Sequence, residues 1–399
     1  MSGKPERPAA DRLPPPPIGG RRGIPEVGSL RNIPTCRRIT RRSMMAGLAA
    51  AACGTVLAPN ARAQHFAAPS FAAEWATFKR RFLASDGRVI DTGNGGCSHS
   101  EGQGWGLVFA VAADDQKAFD LILRWTATHL RRSSDGLHAW RWLPDTANPV
   151  SDTNNATDGD IYIASAMWRA SVRWQRPDQA LAAAGVARDV LRLLLRQVGH
   201  RTLLLPGAKG YESEAGVAIN LSYYAFPMLA DLAAAAPSPL WDELRRDGLA
   251  LIEEARFGEW RLPPDWLHVS RADGTLQPHP NWPPRFSYDA IRVPLYLAWA
   301  QDDTSSAQRS FTSYWEGSPP RRAAAWVDLV TNAYADYAAP SGMQAVAKLA
   351  ALAHAAAPPH SNNKIDASVT FPVIDDTSDY YSAALILLSR LAWQERCAR

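Results

Sequence analysis

Cysteine is scarce, with four in 399 residues, and two of those, Cys36 and Cys53, fall near the N-terminus. The other two, Cys97 and Cys397, sit near opposite ends of the remaining chain. One pair is not the multi-bridge framework that holds small secreted domains together, and sequence leaves open whether the two join. There is no His-Glu-x-x-His, no nucleophile elbow around a serine and no phosphate-binding loop. No metal or cofactor is therefore expected. The longest apolar run near the N-terminus, Ala46 to Ala58, falls short of the about 20 residues a membrane span requires. There is no run of alternating strands, and no repeat of the 34- to 47-residue kind that marks a helical solenoid.

Basic charge is also missing where it would matter. Residues 1–63 hold 11 of the 43 basic and 3 of the 39 acidic residues, leaving 32 and 36 in residues 64–399. The net charge of +4 for the whole chain thus becomes −4 without that segment. A nucleic-acid partner, which asks for a basic face, is excluded. The segment itself begins with a proline-, glycine- and arginine-rich stretch (Pro14 to Pro17 in a row) that cannot bury a core. Then follow Thr40-Arg41-Arg42-Ser43, the alanine-rich run and the small-residue site Ala61-Arg62-Ala63. This order predicts a disordered leader plus an export signal over 1–63, of the twin-arginine type and cut near Ala63–Gln64. An ordinary secretory signal or lipidation at Cys53 are the alternatives. The mature chain, 64–399, is expected to be periplasmic or secreted, with no membrane span.

What is present in abundance is helical periodicity and tryptophan, of which there are 15. Apolar residues recur at three- and four-residue spacing over 70–84, 100–113, 116–131, 158–174, 178–198, 221–234, 239–255, 286–301, 304–316, 321–336, 341–356 and 377–395. About twelve helices with short connections predict an all-α fold, six helical hairpins closed into an (α/α)6 barrel with a substrate groove at one end. Short extended pieces are expected at Leu137 to Leu143 and Arg201 to Leu205. Residues 256–285 read as a long irregular connection, of the kind that usually carries function in a compact domain.

Three acidic stretches carry the chemistry. In Cys97-Ser98-His99-Ser100-Glu101-Gly102-Gln103-Gly104-Trp105-Gly106 a carboxylic acid stands among glycines, which allow close approach to the backbone, and beside a tryptophan whose face suits a sugar ring. The competing reading is a helix N-terminus with Ser100 as cap. In Asn155-Ala156-Thr157-Asp158-Gly159-Asp160, Thr157 or Asp158 is an expected N-cap. In Tyr288-Asp289-Ala290-Ile291-Arg292-Val293-Pro294, Asp289 and Arg292 stand three apart on one helix face, where a plain ion pair is the bland alternative.

Taken together and in this order, the three stretches resemble the motif blocks of glycoside hydrolase family 8. Leu137-His138-Ala139-Trp140-Arg141-Trp142, Ile219-Asn220-Leu221-Ser222-Tyr223-Tyr224 and Leu262-Pro263-Pro264-Asp265-Trp266 fit further blocks. The resemblance covers roughly Phe71 to Trp393. Leu221 stands where the family normally has proline, which touches only the local turn. The resemblance implies an (α/α)6 barrel and an inverting hydrolase, with Glu101 as general acid, Asp289 as general base and Asp158 positioning the sugar. Within the family, the compact exported form resembles the endoglucanase that accompanies bacterial cellulose synthase. That implies β-1,4-glucan (cellulose) as substrate and the cellulose synthase complex as a partner.

Inverting hydrolysis needs carboxyls roughly 6.5–9.5 Å apart, with a water between base and sugar. Glu101 must hold its proton near neutrality, so burial and the nearby Asp158 are expected to overrule the helix N-terminus. Asp289 is expected to stay ionised beside Arg292. Trp105 and Trp142 are the expected stacking platforms, and Arg141, Tyr223, Asp265 and Arg292 the further substrate contacts. Trp168, Trp174 and Trp326, inside helical runs, read as core. The alternatives on the same fold are xylan or chitosan as substrate, or an inactive glycan-binding component of a secretion system.

Overall fold

The computed structural model describes residues 70–301, 305–317, 324–356 and 370–397. The expected leader and cleavage site lie outside them. Eleven α-helices are seen among the described residues: α1 Phe71–Phe82, α2 Ser100–Ala112, α3 Gln116–His129, α4 Thr157–Trp174, α5 Pro177–Leu194, α6 Phe226–Ala235, α7 Leu240–Glu254, α8 Arg292–Ala300, α9 Ser305–Glu316, α10 Ser341–Ala355 and α11 Tyr380–Cys397. Nine short strands join them: β1 Ser98–His99, β2 Arg141–Trp142, β3 Leu195–Val198, β4 Arg201–Leu204, β5 Gly216–Ile219, β6 Leu267–Ser270, β7 Leu276–Pro278, β8 Arg285–Phe286 and β9 Val327–Asp328.

The helices sort into two kinds by the width of their apolar surface. The outer α1 and α3 bury a stripe (Phe71, Trp75, Phe78 and Phe82; Ala118, Phe119, Ile122 and Trp125) and wet the opposite face. The inner α2 buries 12 of its 13 residues, which only a helix covered on every side can do. Contacts run from α2 to α4, α4 to α6, α6 to α8, α8 to α11 and back to α2, closing a ring. The chain is an (α/α)6 barrel. Tyr162 of α4 reaches across to Tyr296 of α8, hydroxyl to hydroxyl at 2.6 Å, although the two helices are not neighbours in the ring.

Five inner helices are seen among the described residues, and the expected helix at 321–336 does not form over its described part, 324–336. Asp328 takes the N–H groups of Val330 and Thr331 and the Thr331 hydroxyl on one carboxylate oxygen, a local turn that competes with the helical ladder. Val327 and Asp328 pair instead with Phe286 and Arg285. Three other predicted helices are also shorter than expected. Residues 195–198 leave α5 for a hairpin with β4, turning at Gly199 with φ +59°. The Asn220 side chain accepts from the Ser222 backbone and hydroxyl, so residues 221–223 form one 3-10 turn and α6 starts at Phe226. Asp289 lies in a turn before α8 rather than within a helix. The connection 256–285 is less irregular than expected, since β6 and β7 extend a three-stranded sheet with β5. The extended pieces near Arg141 and Arg201 are where sequence put them. Cys97 and Cys397 are not bridged.

The tightest joint in the ring is between α2 and α4. A methyl group on Gly159 would stand 2.2 Å from the Ser100 hydroxyl oxygen and 2.7 Å from the Glu101 nitrogen, and one on Gly104 2.6 Å from the Tyr162 Cβ. The glycines around Glu101, expected to admit a ligand, instead admit a neighbouring helix. Gly159→Ala should cost roughly 1–3 kcal/mol of unfolding free energy in urea or more, because backbone atoms cannot yield as a flexible side chain would. It should also depress activity disproportionately, because the displaced atoms belong to Ser100 and Glu101; a variant with wild-type stability and turnover would contradict this.

Candidate active site

The α2–α4 joint sets Glu101 and Asp158 side by side in the first turns of two inner helices. Helix α2 starts where it does because β1 pairs with β2, Ser98 opposite Trp142 and His99 opposite Arg141. The cap is His99, not Ser100: its Nδ1 accepts from the Gly102 N–H at 3.0 Å, with Nε2 3.5 Å from Asp91. Helix α4 is capped by Ala156 without a side-chain bond. Thr157 instead donates its hydroxyl to the Leu205 carbonyl, and Asp158 accepts from the Gly159 N–H at 2.8 Å. Asp160 turns away to accept from His138 and Asn155.

Asp289 and Arg292 arrive from the far side of the ring, at the start of α8. One buried guanidinium then collects all three acids. Arg292 Nη1 contacts Glu101 Oε1 and lies 3.7 Å from Asp158 Oδ2, while Nη2 lies 3.0 Å from Asp289 Oδ1 and donates to the Ser222 hydroxyl at 2.8 Å. Glu101 and Asp289 each keep 8% of their surface exposed, against 1% for Asp158. Asp158 is thus the most deeply buried of the three.

The other expected contacts fare unevenly. Trp105 is fully buried, stacked against Tyr380 at 6.3 Å and meeting Tyr162 and Tyr381 obliquely or edge-on, so no sugar can lie on it. Its place on an inner helix excludes the platform that its motif suggested. Asp265 is buried beneath the Asp289 turn, where it accepts from the Ser287 and Ala290 N–H groups at 3.0 and 2.8 Å. Its second oxygen accepts from the Ser287 hydroxyl, so both oxygens are taken by the turn. Tyr223 is buried with its ring 6.0 Å from Arg292, and its hydroxyl has no hydrogen-bond partner among the described residues. Trp142 is half-buried, with the Arg88 guanidinium 4.9 Å over its ring and Trp125 edge-on. Arg141, also half-buried, lies over Trp140 at 4.3 Å. Trp168, Trp174 and Trp326 are partly buried against the core.

Sequence reasoning missed the cap His99 and the bracing Ser222, both inside quoted blocks. It also missed Tyr380 and Tyr381, for which the pattern offered no signal beyond an aromatic pair at a helix start. Among the described residues no cluster of three or more His, Cys, Asp or Glu side chains could hold a metal ion. No described helix is long and apolar enough to cross a membrane.

The family model of the glycosyl hydrolases family 8 matches residues 45–395. The chain belongs to this family. A probable endoglucanase of Novacetimonas hansenii is 44% identical over 324 residues, covering 81% of this chain and 91% of that one. An endoglucanase of Cellulomonas uda is 40% identical over 276 residues, 69% and 76% of the two chains. Among solved structures, the endo-beta-1,4-glucanase CMCax from Acetobacter xylinum superposes with a TM-score of 0.75 at 44% identity, covering 82% of this chain and 98% of that one.

In this family 8 member the acidic cluster is electrostatically costly. Burial pushes the Asp158 carboxyl up to about 7. Asp289 is held well above the ordinary carboxylate range, first by burial and then by the charges of Asp265 and Asp158. The Arg292 contact is therefore present as the spacing predicted, but it does not leave Asp289 an ordinary, fully ionised acid. A folded-state pKa above the unfolded one means that the folded protein binds the proton more tightly. Stability from this source is present below the ordinary value of 3.8 and is lost as pH rises through about 7. Asp158→Asn should accordingly raise the thermal midpoint relative to the wild type, more near pH 8 than near pH 5, while activity falls. Thermal melts at the two pH values check it, and a larger gain on the acid side would reverse the sign argued here.

Proposed function

We propose that the protein is an endo-acting β-1,4-glucanase that hydrolyses cellulose-type chains with inversion at the anomeric carbon. The observation that carries the reading is the convergence of three carboxyls, from three separate stretches of sequence, on the single guanidinium of Arg292. Endoglucanase names on relatives that cover most of both chains support the substrate class.

In this reading Glu101 protonates the departing glycosidic oxygen and Asp289 takes a proton from the water that attacks the opposite face of the sugar. Glu101 and Asp289 meet different nitrogens of Arg292, and inversion requires the two carboxyls to stand roughly 6.5–9.5 Å apart so that water can enter. Asp158 holds the sugar at the cleavage point. Its raised proton affinity lets it offer a hydrogen bond as well as accept one. A raised proton affinity also makes Asp289 a stronger acceptor, since a general base works best with its pKa near the operating pH. Arg141 and the exposed part of Trp142 are the remaining contacts for the chain, since the Tyr223 hydroxyl, like Trp105, is fully buried.

The proposal extends to biology. Residues 1–63 act as a leader with a twin-arginine export signal, residues 64–399 form the catalytic domain, and the enzyme trims glucan outside the cytoplasm beside a cellulose synthase complex. The order of basic pair, alanine-rich run and small-residue site supports export. N-terminal sequencing of the secreted protein should begin near Gln64.

Glu101→Gln and Asp289→Asn should each lower kcat by about 10²–10⁴-fold, the worth of a general acid or base, with an unchanged circular dichroism spectrum. Either variant retaining substantial turnover would remove that residue from its role. Reducing-end release should be faster on carboxymethylcellulose than on xylan or chitosan, with viscosity dropping early, as internal cuts demand. Proton NMR of the first-formed product should show the α anomer. Cellulose binding without cleavage would point instead to a glycan-binding component.

A further inference from the structure

The acid beneath the Asp289 turn has a place that substrate binding does not explain. Asp265 is fixed by its own backbone, whose N–H donates to the Arg285 carbonyl at 2.7 Å. Its Oδ1 takes the Ser287 N–H at 3.0 Å and the Ala290 N–H at 2.8 Å. Its Oδ2 takes the Ser287 hydroxyl. The three bonds grip residues on both sides of Asp289. The turn closes on itself through Ile291 N–H to the Ser287 carbonyl at 3.0 Å and Arg292 N–H to the Asp289 carbonyl at 3.1 Å. Asp289 and Arg292 thus both hang from a segment fastened at Asp265.

A neutral asparagine could also accept both backbone N–H groups on one oxygen, and its amide could donate to the Ser287 hydroxyl. Geometry alone does not call for an acid here. Burying a charge beside two other carboxyls is costly, so its presence asks for a use.

We propose that Asp265 is a positioning residue for the general base: its oxygens fasten the Ser287–Ala290 turn that aims Asp289, and its negative charge stands behind that base. This rests on Asp289 being the base, as argued above. The charge acts on proton affinity. Asp265 is first among the charged groups that push the Asp289 carboxyl upward, ahead of Asp158. The other groups facing the pair are the Arg292 guanidinium, which draws the carboxyl the other way, and the phenols of Tyr211, Tyr223, Tyr296 and Tyr381. Asp265 is itself raised to about 6, chiefly by burial, so its charge is present when the enzyme works near neutrality and fades as the solution turns acid. A base backed by a second buried anion accepts a proton more readily than an isolated aspartate would.

The test is the Asp265→Asn variant of the full chain, assayed on carboxymethylcellulose across pH, with Asp289→Asn as the reference. The expected result is a kcat about 3- to 10-fold lower near neutrality with KM unchanged, since removing a neighbouring anion weakens the base without touching the sugar. The acid limb of the kcat–pH profile should move to lower pH, a shift that a merely structural role would not produce. Ser287→Ala, which loses one fastening bond and keeps the charge, should lower kcat with KM unchanged, and it carries the test if Asp265→Asn does not fold. Wild-type kcat and an unmoved acid limb in Asp265→Asn overturn the proposal, as does an effect confined to KM, which would make Asp265 a sugar contact. If Asp289→Asn is inactive while Asp265→Asn behaves as wild type, only the present inference falls. If Asp289→Asn remains active, the assignment of the base falls first.

Discussion

A single buried cation organises the centre of this protein. Arg292 meets Glu101, Asp158 and Asp289 from one planar group, and Ser222 holds the guanidinium from the side. Without that charge, three carboxyls in a desolvated space would repel one another and take up protons indiscriminately. With it, they can differ. Asp158, deepest and least wetted, is pushed up to about 7, while Glu101 and Asp289 keep more of their surface exposed. Arginine suits the task because its fork serves several oxygens in one plane and it does not lose its proton. The barrel exists, in effect, to bring the start of α8 against the starts of α2 and α4.

Close helix packing is the second requirement. Glycine at 104 and 159 brings two inner helices near enough for their first-turn carboxyls to share one partner. The fully buried Trp105 then fills the space behind, among Tyr162, Tyr380 and Tyr381. Residues that look in sequence like a ligand cradle are thus the means by which the scaffold closes, and the ligand is served by the acids they bring together.

Much of this was legible beforehand. The three-and-four spacing of apolar residues gave the helices, and the three acidic blocks named the residues that meet at Arg292. What sequence could not show was which neighbour a small residue admits, because Gly102 or Gly159 reads the same whether a sugar or a helix approaches. It also could not show where a side chain would outbid the helical ladder. Asp328, Asn220 and Asp265 each capture nearby donors, and each ends or delays a helix that the apolar pattern favoured. The burial of Trp105 was hidden for a related reason: the motif places it next to the acid in sequence, but six residues on from the helix cap it is packed among aromatic rings.

The contact between Tyr162 and Tyr296 closes the middle of the barrel from one inner helix to another. Among the described residues, this contact bars a polymer from threading through the middle of the ring. An enzyme built this way has no means of counting from a chain end and no need to wait for one. It can seize a long strand wherever the strand is loose.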